Sequence, residues 1–199
     1  MTAFKIWERT FYFPPPHVGV GVGVRKESER VRVNRVLPTE TERWLRYLPL
    51  KHRLIFMIGY KTGLRISDIV SLPKTVLDKE RTTIKERKTG KSKRIYIPRK
   101  LRAELKDYAD IFSKNSTFIF ASKSKSGHIS RQAVHKMFKK WARILHLHGN
   151  ISTHSARKSY ACNLKLRGKD VEYIKRMLNH SNSVETLLYI LDEITKKEQ

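Results

Sequence analysis

The chain has 199 residues, of which 39% are hydrophobic, which is enough for one compact domain that needs neither disulfides nor metals to fold. Lys and Arg number 43 against 18 Asp and Glu, so the net charge is +25 and the expected partner is a polyanion. No apolar run approaches the roughly 20 residues of a membrane span, and Glu8 and Arg9 interrupt what would otherwise resemble a secretory signal. Cys162 is the single cysteine, which excludes an internal disulfide and favours a reducing, cytoplasmic location.

Residues 1 to 34 differ in composition from the rest of the chain. They contain three consecutive prolines, which do not continue a helix, and a Gly-Val alternation that favours a flexible arm or a weak hairpin. The alternation is not a dinucleotide fingerprint, because Val24 stands where the pattern G-x-G-x-x-G from Gly19 requires glycine. We therefore predict an arm or poorly structured segment over residues 1–34 and one domain over residues 35–199.

The first part of this domain is predicted to be helical. Thr39, with Glu42 three residues later, forms a capping box before the stretch ETERWLRYL. The stretch KHRLIFMIGYKTG follows as a buried helix, and Gly63 is placed to end it. A short helix in ISDIVSLP then stops at Pro73.

The stretch RTTIKERKTGKSKRIYIP predicts two strands joined by a turn at Thr89-Gly90. Residues 81 to 100 include nine basic residues and one acid, Glu86. The ending KTGKS is similar to a phosphate-binding P-loop, but Lys85 occupies the position of its first glycine and the context is strand–turn–strand. We therefore exclude a nucleotide site here and predict a basic hairpin.

The second half is predicted to be helical throughout, including a long helix with Val134, Phe138 and Trp141 on one stripe. Thr153 is predicted to cap the next helix, and two shorter helices follow in KDVEYIKRMLNH and SVETLLYIL. The histidines show no H-E-x-x-H spacing, so no metal site and no cofactor are predicted. The predicted fold is mainly α with a small antiparallel β-sheet, an α+β class.

Side chains suited to one phosphate group are spread over this predicted fold. Arg65 lies at the joint between two helices, and His154 and Arg157 are neighbours at i and i+3 on a helix surface. His180 ends the following helix, and Tyr189 comes nine residues later. The predicted hairpin tip adds the lysines Lys88, Lys91 and Lys93.

This combination has a chemical logic. Attack on a phosphodiester builds negative charge on its equatorial oxygens, and two guanidiniums can hold those oxygens while staying charged. A phenol, with a pKa of about 10, becomes a good nucleophile when a neighbouring base such as histidine takes its proton. The departing alkoxide needs a proton, which a lysine at a hairpin tip can supply. Such a site needs no metal, because the arginines provide the positive field.

Four stretches, in this order, resemble the catalytic domain of the tyrosine recombinases, the phage-integrase and Xer-type family. RVLPTETERWLRYL is similar to the opening helix, and TGLRISDIVSL resembles the first-arginine box, with Asp68 at the family's acid. THSARKSYA resembles the H-x-x-R box, and MLNHSNSVETLLYI resembles the stretch from the second histidine to the nucleophilic tyrosine. The resemblance covers residue 35 to about residue 191.

The resemblance implies DNA strand breakage and rejoining by a site-specific recombinase or integrase through a 3′-phosphotyrosine link, without metal or ATP. It implies that Tyr189 is the nucleophile, that Arg65 and Arg157 stabilise the transition state, and that Lys88 protonates the leaving 5′ oxygen. His154 would assist proton movement at the tyrosine, and His180 would hydrogen-bond a phosphate oxygen. The implied catalytic set is Arg65, Lys88, His154, Arg157, His180 and Tyr189.

Double-stranded DNA is the implied partner, contacted by Lys91, Lys93 and Arg94, with self-association into a dimer or tetramer on the DNA. The hairpin is longer than is usual in the family, so Lys91 stays an alternative to Lys88. Asn179 replaces the family's usual glycine before the second histidine.

Only 34 residues precede the match, where the family usually has a helical clamp domain. Two alternatives follow: a non-enzymatic or decayed DNA-binding remnant, and a type IB topoisomerase-like activity. Tyr160 and Tyr173 are the alternative tyrosines, although neither has the nine-residue spacing to His180.

Overall fold

The computed structural model describes residues 45–146 and 151–194. The predicted arm over residues 1–34 and the capping box at Thr39 lie outside the described residues. Within the described ranges, no helix is long and apolar enough to cross a membrane. The helices and strands in these ranges form the predicted mainly α fold with one small antiparallel sheet.

The first two helices meet at a sharp joint. Helix α1 (Leu50–Thr62) ends at Gly63, whose φ of 65° is left-handed and whose N–H donates to the carbonyl of Gly59 at 2.8 Å. A Cβ added at Gly63 would lie 2.4 Å from the Tyr160 ring, so glycine is required for both its φ and its size. Arg65 is the N-cap residue of α2 (Ile66–Val70). Both predictions, that Gly63 ends the helix and that Arg65 lies at the joint, are confirmed.

A 3₁₀ turn (Lys74–Leu77) leads into the hairpin of β1 (Arg81–Lys85) and β2 (Ser92–Tyr96). The strands pair antiparallel from Arg81 opposite Tyr96 to Lys85 opposite Ser92. The connection between them, Glu86 to Lys91, is here called the hairpin loop. It is closed by the Glu86 N–H donating to the Lys91 carbonyl at 2.9 Å and the Gly90 N–H donating to the Glu86 carbonyl at 2.8 Å. The two predicted strands are confirmed, and the connection is wider than a turn at Thr89-Gly90.

The predicted position of Lys93 at the hairpin tip is wrong. Lys93 lies inside β2, opposite Ile84, and is 5% exposed. The alternation of a strand explains this position, because every second residue of β2 faces the domain and Lys93 shares that face with Ile95. Lys91 and Arg94, its neighbours in the predicted DNA-contacting set, are exposed.

The remaining helices are α3 (Arg99–Phe112), α4 (Arg131–Ile144), α5 (Thr153–Leu166), α6 (Val171–Leu178) and α7 (Ser183–Ile194). The predicted cap at Thr153 is wrong by one residue, since Ser152 is the N-cap. Its hydroxyl accepts from the His154 N–H at 3.3 Å, and its own N–H donates to the Ser155 hydroxyl at 3.0 Å. This reciprocal pair is a capping box that fixes the first turn of α5.

The hydrophobic core positions α1 against α5. Phe56 of α1 meets Phe138 of α4 edge-on, with ring centroids 6.0 Å apart, and both are buried. At Gly59 the two helices approach so closely that an added Cβ would lie 3.0 Å from the Cβ of Ala156. A second cluster, which includes Ile174, packs α5, α6 and α7 together. The close approach of α1 and α5 places the joint after α1 beside Arg157.

Candidate active site

Arg157 is the largest fully buried side chain among the described residues, with 1% of its surface exposed. One guanidinium nitrogen donates to the carbonyl of Gly63 at 2.5 Å and another to the carbonyl of Leu178 at 2.6 Å. Burial first, and then the nearby Arg65, lower the pKa of Arg157 to about 10, so it keeps its charge at neutral pH. This arginine therefore ties the ends of α1 and α6 to α5 and places a cation where they meet.

Arg65 is paired with a buried carboxylate. Its guanidinium donates to Oε2 of Glu86 at 2.8 Å, and the same oxygen accepts from the Thr89 hydroxyl at 2.9 Å. The Glu86 side chain is 0% exposed, and its Oε1 has no hydrogen-bond partner in the part of the chain that the structure describes. Sequence reasoning gave Glu86 no role, although it is the one acid among nine basic residues between 81 and 100. A single acid inside so basic a segment was the available signal.

Asp68 provides a second attachment between α2 and the hairpin loop. Its Oδ1 accepts from the backbone N–H of Arg87 at 2.9 Å. Burial is the main reason that the pKa of Asp68 is raised, and the hydrogen bond from Arg87 opposes that rise. The helix that begins beside Arg65 thus holds the loop through two acidic side chains.

Lys93 adds a third buried cation to the site. Its Nζ donates to the carbonyl of Gly63 at 3.3 Å, the same oxygen that accepts from Arg157. Desolvation, followed by the repulsion of Arg157, lowers the pKa of Lys93 to about 7, and Glu86 opposes the shift. Sequence reasoning placed this lysine on the surface, so its contact with the arginines was not predicted.

His180 and Tyr189 lie against each other close to Arg157. Their ring centroids are 5.3 Å apart in an edge-on arrangement, and Tyr189 lies near enough to Arg157 to act on its pKa, which it raises. Nδ1 of His180 lies 3.0 Å from the buried Thr186 hydroxyl. Desolvation and then Arg157 lower the pKa of His180 to about 4, so the ring is neutral at pH 7.

Asn179 adopts the conformation for which glycine is usual. Its φ of 51° and ψ of 40° are left-handed, and it is the C-cap of α6. Asparagine is one of the few residues other than glycine that adopt this conformation routinely. The departure from the family pattern therefore leaves His180 in the cluster with Arg157.

His154 and Lys88 are the exposed members of the predicted set. The pKa of His154 is lowered by partial desolvation first, then by Arg157, with His135, Arg65 and Lys88 adding to the effect. Lys88 lies in the hairpin loop, near enough to His154 to act on its charge. The structure thus brings together the six predicted catalytic residues, four in or near the interior and two at the exposed side.

The alternative tyrosines are placed differently. Desolvation raises the pKa of Tyr160 to about 12, and its ring packs against Gly63. The ring of Tyr173 lies under two cations, Lys169 at 5.4 Å and Arg176 at 6.0 Å. Arg157 also acts on the pKa of Tyr160, whereas Tyr189 is the tyrosine whose ring lies edge-on to His180.

The arrangement can bind an anion and move protons. Three basic side chains (Arg65, Lys93 and Arg157) lie close to one another, beside the phenol of Tyr189 and the neutral imidazole of His180. Within the described residues, no group of three or more His, Cys, Asp or Glu side chains is arranged to hold a metal ion. The chemistry that such a cluster favours is attack of the phenol on a bound phosphate.

Comparison with known proteins identifies the family of the chain. The sequence matches the Phage integrase family over residues 33–194. The chain therefore belongs to that family of tyrosine recombinases and integrases, which confirms the resemblance.

Two curated relatives and two solved structures show how far the likeness extends. The chain is 33% identical over 145 residues to the probable integrase/recombinase YoeC of Bacillus subtilis, covering 72% of this chain and 79% of the relative. It is 27% identical over 182 residues to the tyrosine recombinase XerA of Pyrococcus furiosus, covering 84% of this chain and 63% of the relative.

Among solved structures, XerA recombinase has a TM-score of 0.68 at 16% identity, covering 93% of this chain and 67% of that one. XerH site-specific recombinase bound to its palindromic difH substrate has a TM-score of 0.66 at 16% identity, covering 85% and 52%. These likenesses confirm the predicted fold class. The chain thus spans about half to four fifths of the proteins it resembles.

Proposed function

We propose that this chain breaks and rejoins DNA strands as a tyrosine-type site-specific recombinase. The observation that carries the proposal is the position of Tyr189, whose ring lies edge-on to that of His180 with centroids 5.3 Å apart, near enough to Arg157 to act on the pKa of that arginine. A phenol beside a buried guanidinium and a neutral imidazole is set for nucleophilic attack on a phosphodiester. The names of the relatives, tyrosine recombinase and integrase/recombinase, support the same reaction.

In the proposed reaction, the Tyr189 oxygen forms a bond to phosphorus, and the bond from phosphorus to the 5′ oxygen breaks. Arg65 and Arg157 hold the non-bridging oxygens as their charge rises. The electron pair of the broken bond stays on the 5′ oxygen, which takes a proton from Lys88, with Lys91 as the alternative donor. The product is a 3′-phosphotyrosine link, which the 5′ hydroxyl of another strand reverses.

The two histidines have separate proposed roles. His154, exposed at the edge of the site with a lowered pKa, accepts the phenol proton. His180, whose Nδ1 lies beside the Thr186 hydroxyl, directs its other nitrogen to a phosphate oxygen. The phosphotyrosine link keeps the energy of the broken bond, so we propose that the reaction uses neither ATP nor metal.

The substrate in this proposal is double-stranded DNA, drawn by the net charge of +25 and contacted by the exposed Lys91 and Arg94. One relative in the structural comparison, XerH, is bound to a palindromic DNA site, which supports self-association of the present chain on DNA. In this proposal residues 35–199 are the catalytic domain, and residues 1–34 are an N-terminal arm or poorly structured segment. We also propose that the protein acts in the cytoplasm.

The proposal is tested by a covalent adduct on nicked duplex DNA, in which the cleaved fragment diffuses away and traps the protein–DNA link. Wild-type protein should form the adduct, and Tyr189→Phe should form none while binding DNA as before. Tyr173→Phe is the matched control, because it removes a hydroxyl from a neighbouring helix and should leave the adduct unchanged. Tyr189→Phe protein that still formed the adduct would show that the nucleophile has been misassigned.

The alternatives give different results in the same assays. A DNA-binding remnant would bind DNA and form no adduct, and a type IB topoisomerase-like enzyme would relax any supercoiled plasmid instead of recombining paired sites. A mixture of Tyr189→Phe and Arg157→Ala proteins that regains the adduct would show that the tyrosine acts on the site of a neighbouring subunit.

A further inference from the structure

Glu86 joins the arginine clamp, defined here as Arg65 and Arg157, to the hairpin loop, and we infer that it is a positioning residue that holds Lys88 over the bound phosphate. The inference rests on the proposed function, in which Lys88 gives its proton to the leaving 5′ oxygen. Glu86 itself touches no reacting atom. It acts through Arg65 on one side and through the loop on the other.

The first observation is the fully buried carboxylate of Glu86. Its Oε2 accepts at 2.8 Å from Arg65 and at 2.9 Å from Thr89, so one oxygen bridges the clamp and the loop. Lys88 immediately precedes Thr89, and Gly90 donates its N–H to the Glu86 carbonyl at 2.8 Å. The two residues that follow Lys88 are therefore both hydrogen-bonded to Glu86.

The second observation is that the same helix holds the loop at another point. The N–H of Arg87 donates to Asp68 at 2.9 Å, one turn after Arg65. Lys88 thus follows a residue bonded to α2 and precedes a residue bonded to Glu86. The position of Lys88 relative to Arg65 is therefore set by two acids, Asp68 and Glu86, in addition to the backbone hydrogen bonds within the hairpin loop.

The third observation concerns charge. The hairpin loop carries Arg87, Lys88 and Lys91, and it lies against a site that contains Arg65 and Arg157. Glu86 is the one acid of the loop. Like charges repel more strongly in a partly buried site than in water, because the effective dielectric constant there is lower. Without the Glu86 charge, the loop would be expected to move away from the arginines and take Lys88 with it.

The test compares two nicked substrates, one with the ordinary 5′ oxygen at the scissile bond and one with sulfur in its place. A thiolate leaves without a proton, because a thiol is a far stronger acid than an alcohol. Lys88→Met should slow cleavage of the oxygen substrate and leave cleavage of the sulfur substrate close to the wild-type rate. Glu86→Gln should show the same pattern, with a loss of at least about 10-fold on oxygen, as expected when a general acid is misplaced.

The matched control is Glu80→Gln. Glu80 pairs with Arg102 at 3.5 Å, in the same hairpin region but away from the clamp. Glu80→Gln should leave the cleavage rates of both the oxygen and the sulfur substrate unchanged. Amide hydrogen exchange of full-length Glu86→Gln protein gives a readout without DNA, and the amides of Arg87 and Gly90 should exchange faster than in the wild type.

Several results would overturn the inference. Equal slowing of Glu86→Gln on both substrates would mean that Glu86 supports Arg65 or the fold, and not the proton donor. Faster cleavage would mean that its carboxylate competes with the phosphate for Arg65. If Lys88→Met protein cleaved both substrates equally slowly, Lys88 would not be the proton donor, and the inference would lose its basis. A wild-type protein without any adduct would refute the proposed function itself, a failure visible before any variant is compared.

Discussion

Replacing Lys93 by Met should stabilise the protein, because the buried ammonium costs folding free energy. The pKa of Lys93 falls from 10.5 to about 7 on folding, a difference of 3.5 pKa units. At about 1.4 kcal/mol per pKa unit, this shift lowers the free energy of unfolding by roughly 4 kcal/mol at pH 7. At that pH about half of the folded molecules already have a neutral Lys93. Methionine keeps a stem of similar length without the charge. The variant loses the hydrogen bond from Lys93 to the Gly63 carbonyl, which offsets about 1 kcal/mol of this stabilisation. We therefore expect the free energy of unfolding to rise by about 2–3 kcal/mol.

The sign of the pH dependence provides a sharper test than the size of the gain. The unfolded chain keeps the Lys93 proton up to about pH 10.5, whereas the folded chain loses it near pH 7. Between these values unfolding takes up a proton, so wild-type stability rises with pH relative to the variant. The advantage of Lys93→Met should therefore be largest below about pH 7, shrink steadily as the pH rises above 7, and vanish by about pH 10.5.

Urea unfolding of wild-type protein and Lys93→Met at pH 7 and pH 10.5 measures both effects. Lys91→Met is the matched control, since Lys91 is an exposed lysine two positions earlier and its change should stay within about 0.5 kcal/mol. A Lys93→Met protein that is less stable than wild type at pH 7 would refute the reasoning. A gain that is equal at both pH values would refute it as well, because the buried charge would then not be its source.

Three further outcomes are expected. Gly63→Ala should lower the free energy of unfolding by more than about 2 kcal/mol, because it combines a φ of 65° with a Cβ 2.4 Å from the Tyr160 ring. Gly168→Ala is the control, with a φ of 75° but open space around the added Cβ, and it should lower the free energy of unfolding by about 1 kcal/mol. His52 is buried beside Phe138, and its pKa is about 4 in the folded protein against 6.5 in the unfolded chain. The free energy of unfolding should therefore fall by about 3 kcal/mol as the pH falls from 6.5 to 4, and it should depend less on pH in His52→Leu. DNA affinity measured by anisotropy should fall steeply with salt, and Lys91→Ala should reduce that slope by about 1 for all sequences alike; an affinity independent of salt would contradict phosphate-dominated binding.

The sequence by itself determined the helices and the order of the motifs. The positions of Gly63, Arg65 and Arg157 were readable because a helix end needs glycine at a left-handed φ and because residues at i and i+3 share a helix surface. Each of these signals is local, extending over one or two helical turns. The family resemblance then followed from local motifs in a fixed order.

Only the tertiary structure decided which charges meet. Lys93 and Lys91 look alike in the sequence, but the register of β2 turns one inward to the Gly63 carbonyl and leaves the other in solvent. Glu86 lies 21 residues from Arg65, and the pairing of the two depends on how the hairpin packs against α2. Burial and Coulomb interaction depend on distances between separate elements, which a one-dimensional pattern does not contain. For that reason the cations of the site could be named from the sequence, while the acid that organises them could be found only in the fold.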